Sequence, residues 1–167
     1  MNIRKAVCED LKSVQELNYK LFDLEYSNFD PALDMQWTFS EKGENYFKEL
    51  IKNGTVWVAV HDERIIGYLA GSIKGKPSYA TKTLAELDNF YIDKEYIRQG
   101  IGKKLVLEFK KYCINLGIEE IKVTASALNI NARNFYKNNG FNDFEVTYKM
   151  KLEEKQWMKM KNLLILL

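Results

Sequence analysis

Hydrophobic and polar positions alternate along this chain with two different periods, and the period changes at turn residues. Apolar residues at every third or fourth position indicate amphipathic helices, and apolar residues at every second position indicate strands. Helices are therefore predicted over residues 9–27, 40–52, 100–117 and 130–140. Strands are predicted over residues 2–7, 55–60, 64–73, 84–92, 118–126 and 141–152.

This order of elements, β-α-α-β-β-β-α-β-α-β, predicts a mixed α/β domain. An antiparallel meander is followed by a β-α-β unit, which brings residues 87–92 and 120–126 side by side and parallel. With 167 residues, 46% of them hydrophobic, and no linker-like stretch, the chain fits one domain. We assign this domain to residues 1–152 and expect the apolar extension 153–167 to pack on it or at a dimer contact.

Composition excludes several classes of protein. The 25 basic and 23 acidic residues leave a net charge of +2, so we expect no nucleic acid partner. Cys8, Cys113 and the single His61 are too scattered for a metal site. The longest apolar run, residues 163–167, is too short to cross a membrane, and two lone cysteines without a signal peptide indicate a cytoplasmic protein.

The stretch "EYIRQGIGKKL", residues 95–105, joins a strand to a helix and contains Gly100 and Gly102. Unpaired N–H groups at such a helix start favour an anion. A P-loop would need Gly at Ile97 and Ser or Thr at Lys104, and a dinucleotide fingerprint would need a small residue at Leu105. Both motifs are excluded, so a phosphate loop of another type is expected.

About 27 residues after this loop the chain reads "NINARNFYKNNGF", and this pair of motifs resembles the GNAT superfamily of N-acetyltransferases. The family signature is Arg or Gln, two residues, Gly, one residue, then Gly or Ala. Its second motif matches Asn129, Ala132, Tyr136 and Gly140-Phe141. One departure is that the Arg or Gln position falls on Ile97, with Arg98 next to it.

The resemblance implies the GNAT fold, a twisted and mostly antiparallel sheet with one parallel, splayed strand pair and helices on both faces. It also implies acetyl-CoA as co-substrate, with no metal, and a primary amine as acceptor. The pantetheine would bind the strand edge and the pyrophosphate would bind the glycine loop. The residues implied for cofactor binding are Phe90, Tyr91, Ile92, Arg98, Gln99, Gly100, Ile101, Gly102, Lys103, Asn129, Asn134 and Tyr136.

Three side chains are candidates for the chemistry. Glu86 lies an even number of residues from Phe90 and Ile92, so it is expected on their face of the strand, and Asp88 shares that face. Either carboxylate could accept a proton from the amine, although solvated carboxylates remain an alternative. By the resemblance, Tyr136 would give a proton to the leaving thiolate. Asn129 could instead cap the following helix.

The acceptor is expected to meet the region "FDLEYSNFDPALDMQWTFSEKGENYF", residues 22–47, which mixes carboxylates with aromatic residues. Such a mixture suits a cationic amine with an apolar stem. Two rival interpretations remain. The chain could be a non-catalytic acyl-CoA-binding or interaction module of the same fold, or a nucleotide-binding protein of another class. A homodimer is expected because the family often pairs.

Overall fold

The computed structural model describes residues 1–152, which form one five-stranded sheet covered by helices on both faces. The strands follow in chain order across the sheet, the first four antiparallel and the last pair parallel. The strands are β1 (Asn2–Lys5), β2 (Val56–His61), β3 (Arg64–Gly75), β4 (Leu84–Ile92) and β5 (Glu120–Val123). The helices are α1 (Leu11–Asn28), α2 (Glu41–Lys52), α3 (Ile101–Asn115) and α4 (Ile130–Asn138).

The core is divided by the sheet into two clusters. Helices α1 and α2 cover one face, where Phe47 and Tyr68 are fully buried. Helix α3 covers the other face, where Phe109 packs edge-on against Trp57 with ring centroids 5.6 Å apart. Strand β2 contributes to both clusters, because successive side chains point to opposite faces. The predicted mixed α/β architecture is therefore confirmed.

Local signals place the start of α2 and the turn between β2 and β3 where the sequence indicated, although β1 and β5 are shorter than predicted. The Ser40 hydroxyl accepts a hydrogen bond from the Gly43 N–H at 3.2 Å and so caps α2. Between β2 and β3 the turn residues Asp62 and Glu63 have φ of 46° and 63°. Two successive positive φ values give the two-residue hairpin whose twist matches its strands.

The predicted strand over 141–152 is wrong, because those residues form no strand in the structure. Their alternation is real. Apolar residues from Phe144 to Leu152 at every second position are 73–91% exposed, while Glu145 and Lys149 between them form ion pairs with the domain. Glu145, for example, lies 3.0 Å from Lys122 of β5. Alternation predicts an extended segment with two faces, but it does not specify a hydrogen-bonded partner strand.

The expected packing of 153–167, and with it the dimer contact, lies outside the described residues. Among residues 1–152, none of the helices has the length and apolar character needed to span a bilayer.

Candidate active site

Strand β4 contains a bulge at the centre of the sheet. Ala70 of β3 pairs with Asn89, but the next residue, Gly71, pairs with Leu87, which leaves Asp88 as the extra residue. A bulge shifts the side-chain alternation by one position. Leu87 before the bulge and Phe90 after it therefore both pack on the α3 face.

The bulge corrects one prediction. Glu86 and Asp88 were expected on the face of Phe90 and Ile92, but both line a pocket on the opposite, α1 and α2 face of the sheet. The expectation assumed unbroken alternation along β4, and the extra residue cancels it. Tyr91 also turns away from α3 and packs with the α1 and α2 cluster.

Strands β4 and β5 separate beyond the bulge. Their parallel pairing runs only from Leu84 opposite Glu120 to Leu87 opposite Val123. It therefore ends where residues 87–92 and 120–126 were expected to pair. Among residues 1–152, no strand lies beside β4 on this edge from Asp88 to Ile92, so the backbone groups there that point away from β3 face a gap.

The glycine loop lies next to this gap, and its two glycines serve different purposes. Gly100 has φ of 76° at the N-cap of α3, a conformation that glycine adopts without strain. Gly102 has ordinary helical geometry but is closely packed. A Cβ there would lie 2.9 Å from the rings of both Phe90 and Phe135.

The other loop residues divide between core and solvent. Ile101 is buried against the sheet, whereas Arg98, Gln99 and Lys103 are exposed. Arg98 has φ of 63°, which is uncommon for a residue with a side chain. The first N–H groups of α3 have no partner within the helix, so the loop presents donors and cationic side chains together.

Helix α4 carries the second motif. Asn129 caps it, with Oδ1 accepting from the Ala132 N–H at 3.0 Å. The Asn129 amide also donates to Glu25 Oε1 of α1 at 3.3 Å, a partner that the sequence did not suggest. Asn134 lies exposed on the same helix.

Tyr136 lies on α4 with its ring between Phe135 and Phe141, at centroid distances of 5.5 Å and 5.6 Å. Burial, together with the negative charge of Glu25, raises the pKa of Tyr136 above its ordinary value. The hydroxyl therefore keeps its proton at neutral pH.

A pocket of about 480 Å³ opens on the α1 and α2 side of β4. Its wall includes Phe22 and Trp37, whose rings stack 5.6 Å apart at an angle of 13°. Its charged groups are all carboxylates. The lining residues are Phe22, Ala32, Leu33, Asp34, Trp37, Tyr46, Glu86, Leu87, Asp88, Asn89 and Thr124.

Phe22, Trp37 and Tyr46 fall within residues 22–47, the region that was expected to meet the acceptor. Helical periodicity alone did not separate Phe22 and Tyr46 from the core positions of α1 and α2, and residues outside that region, such as Asn89, were missed. Asn89 carried no signal, since its side chain faces α1 only because of the bulge.

Asp88 is the more enclosed of the two carboxylates on β4, with a side chain 14% exposed against 29% for Glu86. Burial raises the pKa of Asp88, and the charge of Glu86 adds to the rise, whereas Ser72 and Lys74 oppose it. Lys74 Nζ lies 3.5 Å from Glu86 Oε2 and 3.8 Å from Asp88 Oδ1. Among the described residues Asp88 Oδ2 and Ser72 Oγ have no hydrogen-bond partner, although the two side chains are neighbours.

Several known N-acetyltransferases are similar to this chain. Human N-acetyltransferase 8 is 26% identical over 117 residues, which cover 70% of this chain and 48% of the human protein. An uncharacterised N-acetyltransferase of Methanocaldococcus jannaschii is 25% identical over 162 residues, 95% of this chain and 65% of its own length. This chain thus spans about half of the human protein and about two thirds of the archaeal one.

A solved structure, PaiA N-acetyltransferase from Thermoplasma acidophilum in complex with coenzyme A, superposes with a TM-score of 0.71. It is 26% identical and covers 87% of this chain and 92% of its own. The profile of the Acetyltransferase (GNAT) family matches residues 18–141, a range that begins in α1 and ends just after α4. Because this match includes both motifs and the strand between them, the chain belongs to the GNAT acetyltransferase family.

Proposed function

We propose that this protein is an N-acetyltransferase that moves an acetyl group from acetyl-CoA to a primary amine by direct attack in a ternary complex. One observation carries the proposal: strand β4 contributes to two sites at once. The edge of β4 from Asp88 to Ile92 faces the gap beside the glycine loop. The side chains of Glu86 and Asp88 line an acidic pocket on the α1 and α2 face of the sheet. A cofactor and an acceptor could therefore meet across the bulge.

The cofactor side fits a thioester of coenzyme A. The backbone groups of Phe90 and Ile92 that point away from β3 would bond the amides of the pantetheine, and the N–H groups of residues 98–103 would bond the pyrophosphate. Acetyl-CoA supplies an acetyl group on a good leaving thiolate. The coenzyme A complex of the Thermoplasma acidophilum relative supports this choice over other nucleotides.

The acceptor side fits a cationic amine with an apolar stem. Asp34, Glu86 and Asp88 would attract the ammonium group, and the Phe22–Trp37 stack would pack against the stem. An alkyl amine of pKa about 10.4 is neutral in roughly one molecule in 2,500 at pH 7, a deficit of about 4.6 kcal/mol. A proton acceptor beside the amine would offset part of this deficit.

Asp88 is the better placed proton acceptor. It lines the pocket, it is more buried than Glu86, and its pKa is raised by that burial. A raised pKa makes a carboxylate a stronger base near neutral pH. Glu86 would then hold the ammonium by charge, and Tyr136, which keeps its proton at neutral pH, would give that proton to the leaving thiolate.

Release of free thiol from acetyl-CoA, measured across a panel of amines, tests the proposal. We expect turnover on at least one primary amine and none on its N-acetylated form. Coenzyme A that binds tightly without turnover on any amine would instead support a non-catalytic acyl-CoA-binding module.

Calorimetry with coenzyme A, ATP and NAD tests the remaining alternative, a nucleotide-binding protein of another class. We expect coenzyme A to bind most tightly, because the loop lacks both nucleotide motifs. Preference for ATP or NAD would reject acetyl transfer and favour a nucleotide-binding protein.

A further inference from the structure

A series of buried side-chain hydrogen bonds leads from the core to the acceptor pocket. It begins at Thr38, whose hydroxyl donates to Asn18 Oδ1 at 2.7 Å. The Asn18 amide then donates both to the Tyr68 hydroxyl at 2.9 Å and to Asn89 Oδ1 at 3.3 Å. Thr38, Asn18 and Tyr68 are fully buried, so water does not compete for these bonds.

The series continues from Asn89 to the pocket wall. The Asn89 amide donates to the Tyr46 hydroxyl oxygen at 3.0 Å. Tyr46 lines the pocket beside Asp88, and its hydroxyl favours the charged form of that carboxylate. Burial is the main cause that raises the pKa of Tyr46, and the negative charge of Asp88 raises it further, so the tyrosine remains protonated.

These hydrogen bonds share one direction. Thr38 donates to Asn18, Asn18 to Asn89, and Asn89 to Tyr46. The Tyr46 hydroxyl oxygen accepts a hydrogen bond from the Asn89 amide. The Tyr46 hydroxyl hydrogen remains available to donate a second hydrogen bond. Asp88 is the neighbouring acceptor.

We propose that Tyr46 is a positioning residue for Asp88: Asn89 occupies its hydroxyl oxygen, and this directs the hydroxyl hydrogen to the Asp88 carboxylate. The bond fixes the orientation of a carboxylate of which one oxygen, Oδ2, is buried and has no hydrogen-bond partner among residues 1–152. This inference rests on the proposed function only in assigning an amine as the group that Asp88 deprotonates. The contact between Tyr46 and Asp88 can be tested without it.

The groups that face Asp88 determine whether its pKa rises or falls when Tyr46 is changed. Glu86 on β4 raises the pKa of Asp88, while Lys74 and Ser72 on β3 and Tyr46 on α2 lower it. Removing the Tyr46 hydroxyl removes a donor to the charged carboxylate. The pKa of Asp88 must then rise, because burial and Glu86 keep their effect.

Carboxyl carbon NMR of the full chain measures this pKa directly, with Asp88→Asn used to assign the signal. In Tyr46→Phe we expect the pKa of Asp88 to rise by about half a unit or more. Tyr19→Phe, a partly exposed tyrosine of α1 that does not line the pocket, is the matched control and should leave it unchanged. An equal pKa in Tyr46→Phe and wild type overturns the proposal.

A second variant, Asn89→Ala, keeps the hydroxyl but frees its oxygen. We expect a smaller rise in the Asp88 pKa, because the hydroxyl hydrogen is no longer directed, and an unchanged pKa contradicts this step. Once an amine is known, the acid limb of the plot of kcat/KM against pH should shift to higher pH in both variants. If no amine is turned over, the proposed function fails, whereas the NMR result still decides the role of Tyr46.

Discussion

Phe90 of β4 and Phe135 of α4 stack face to face, with ring centroids 5.1 Å apart and 12° between their planes. Gly102 allows this pair to approach α3, because any side chain at that position would enter the space that the two rings occupy. The second glycine of the loop therefore joins the loop, the open edge of β4 and the second motif in one packing contact.

Gly102→Ala should destabilise the domain by about 1–3 kcal/mol, the usual cost of overpacking a well-filled core. Its Cβ would lie 2.9 Å from both rings, so α3 must shift and coenzyme A affinity should fall with stability. Urea unfolding and calorimetry measure the two effects. Lys104→Ala, an exposed position one turn into α3, is the control, and equal stability of the two variants would contradict the packing role.

Arg98→Gly should have opposite effects on stability and binding. Removing the side chain relieves a residue at φ of 63°, and we expect a gain of about 1 kcal/mol. If Arg98 supplies the charge that Ile97 lacks, coenzyme A affinity should also fall several-fold at low salt and less at high salt. Affinity equal to wild type at low salt would mean that the backbone alone binds the pyrophosphate.

Tyr136→Phe should lower kcat by at least about 10-fold, because a proton donor to a leaving group contributes 10²-fold or more. The ring keeps its contacts with Phe135 and Phe141, so coenzyme A affinity should change little. Steady-state kinetics and calorimetry on the same preparation check both statements. An unaltered kcat would remove Tyr136 from the proposed role.

Asp88→Asn should lower activity and raise stability at neutral pH. The pKa of Asp88 is raised in the folded state, so its stabilising effect is full below the unfolded pKa and is lost as the pH rises through the folded value. Above that value wild type must bury a charge, which Asn does not carry. We therefore expect a higher Tm for Asp88→Asn at pH 8, and a smaller difference at pH 4.

Glu86→Gln is the matched variant on the same strand. Glu86 is more exposed, so its substitution should raise the acceptor KM more than it lowers kcat. A larger loss of kcat in Glu86→Gln than in Asp88→Asn would reverse the roles proposed for the two carboxylates.

The two cysteines should differ in reactivity. Cys113 is buried on α3, and this burial raises its pKa to about 11, so little thiolate forms at pH 7. Cys8 is exposed. Mass spectrometry after iodoacetamide treatment should find Cys8 modified first and Cys113 modified only after unfolding. Alkylation of Cys113 in the native protein at the rate of Cys8 would contradict the packing of α3.

Much of the fold was predictable because its signals are local. Helical periodicity, the Ser40 cap and the Asp62-Glu63 turn each depend on residues within a few positions of one another. The segment 141–152 had an equally clear alternation, yet it forms no strand. Pairing depends on a neighbour distant in sequence, and alternation carries no information about that neighbour.

The cofactor half and the acceptor half of the candidate site also differ in how far they depend on residues close together in the sequence. The cofactor half is nearly contiguous, since the glycine loop directly follows β4, and its motifs could be read along the chain. The acceptor half is assembled from α1, the segment before α2, α2 itself and β4. No spacing in the sequence relates Phe22 and Tyr46 to Asp88.

By itself, the sequence determined the order of elements as far as α4, the glycine loop and the second motif, because short-range sterics, capping and spacing specify them. Only the tertiary structure decided the side of the sheet on which Glu86 and Asp88 lie. A single extra residue in β4, opposite Ala70 and Gly71, reverses the alternation there. A bulge arises from the pairing of two strands, so the face on which Glu86 and Asp88 lie depends on β3 as much as on β4.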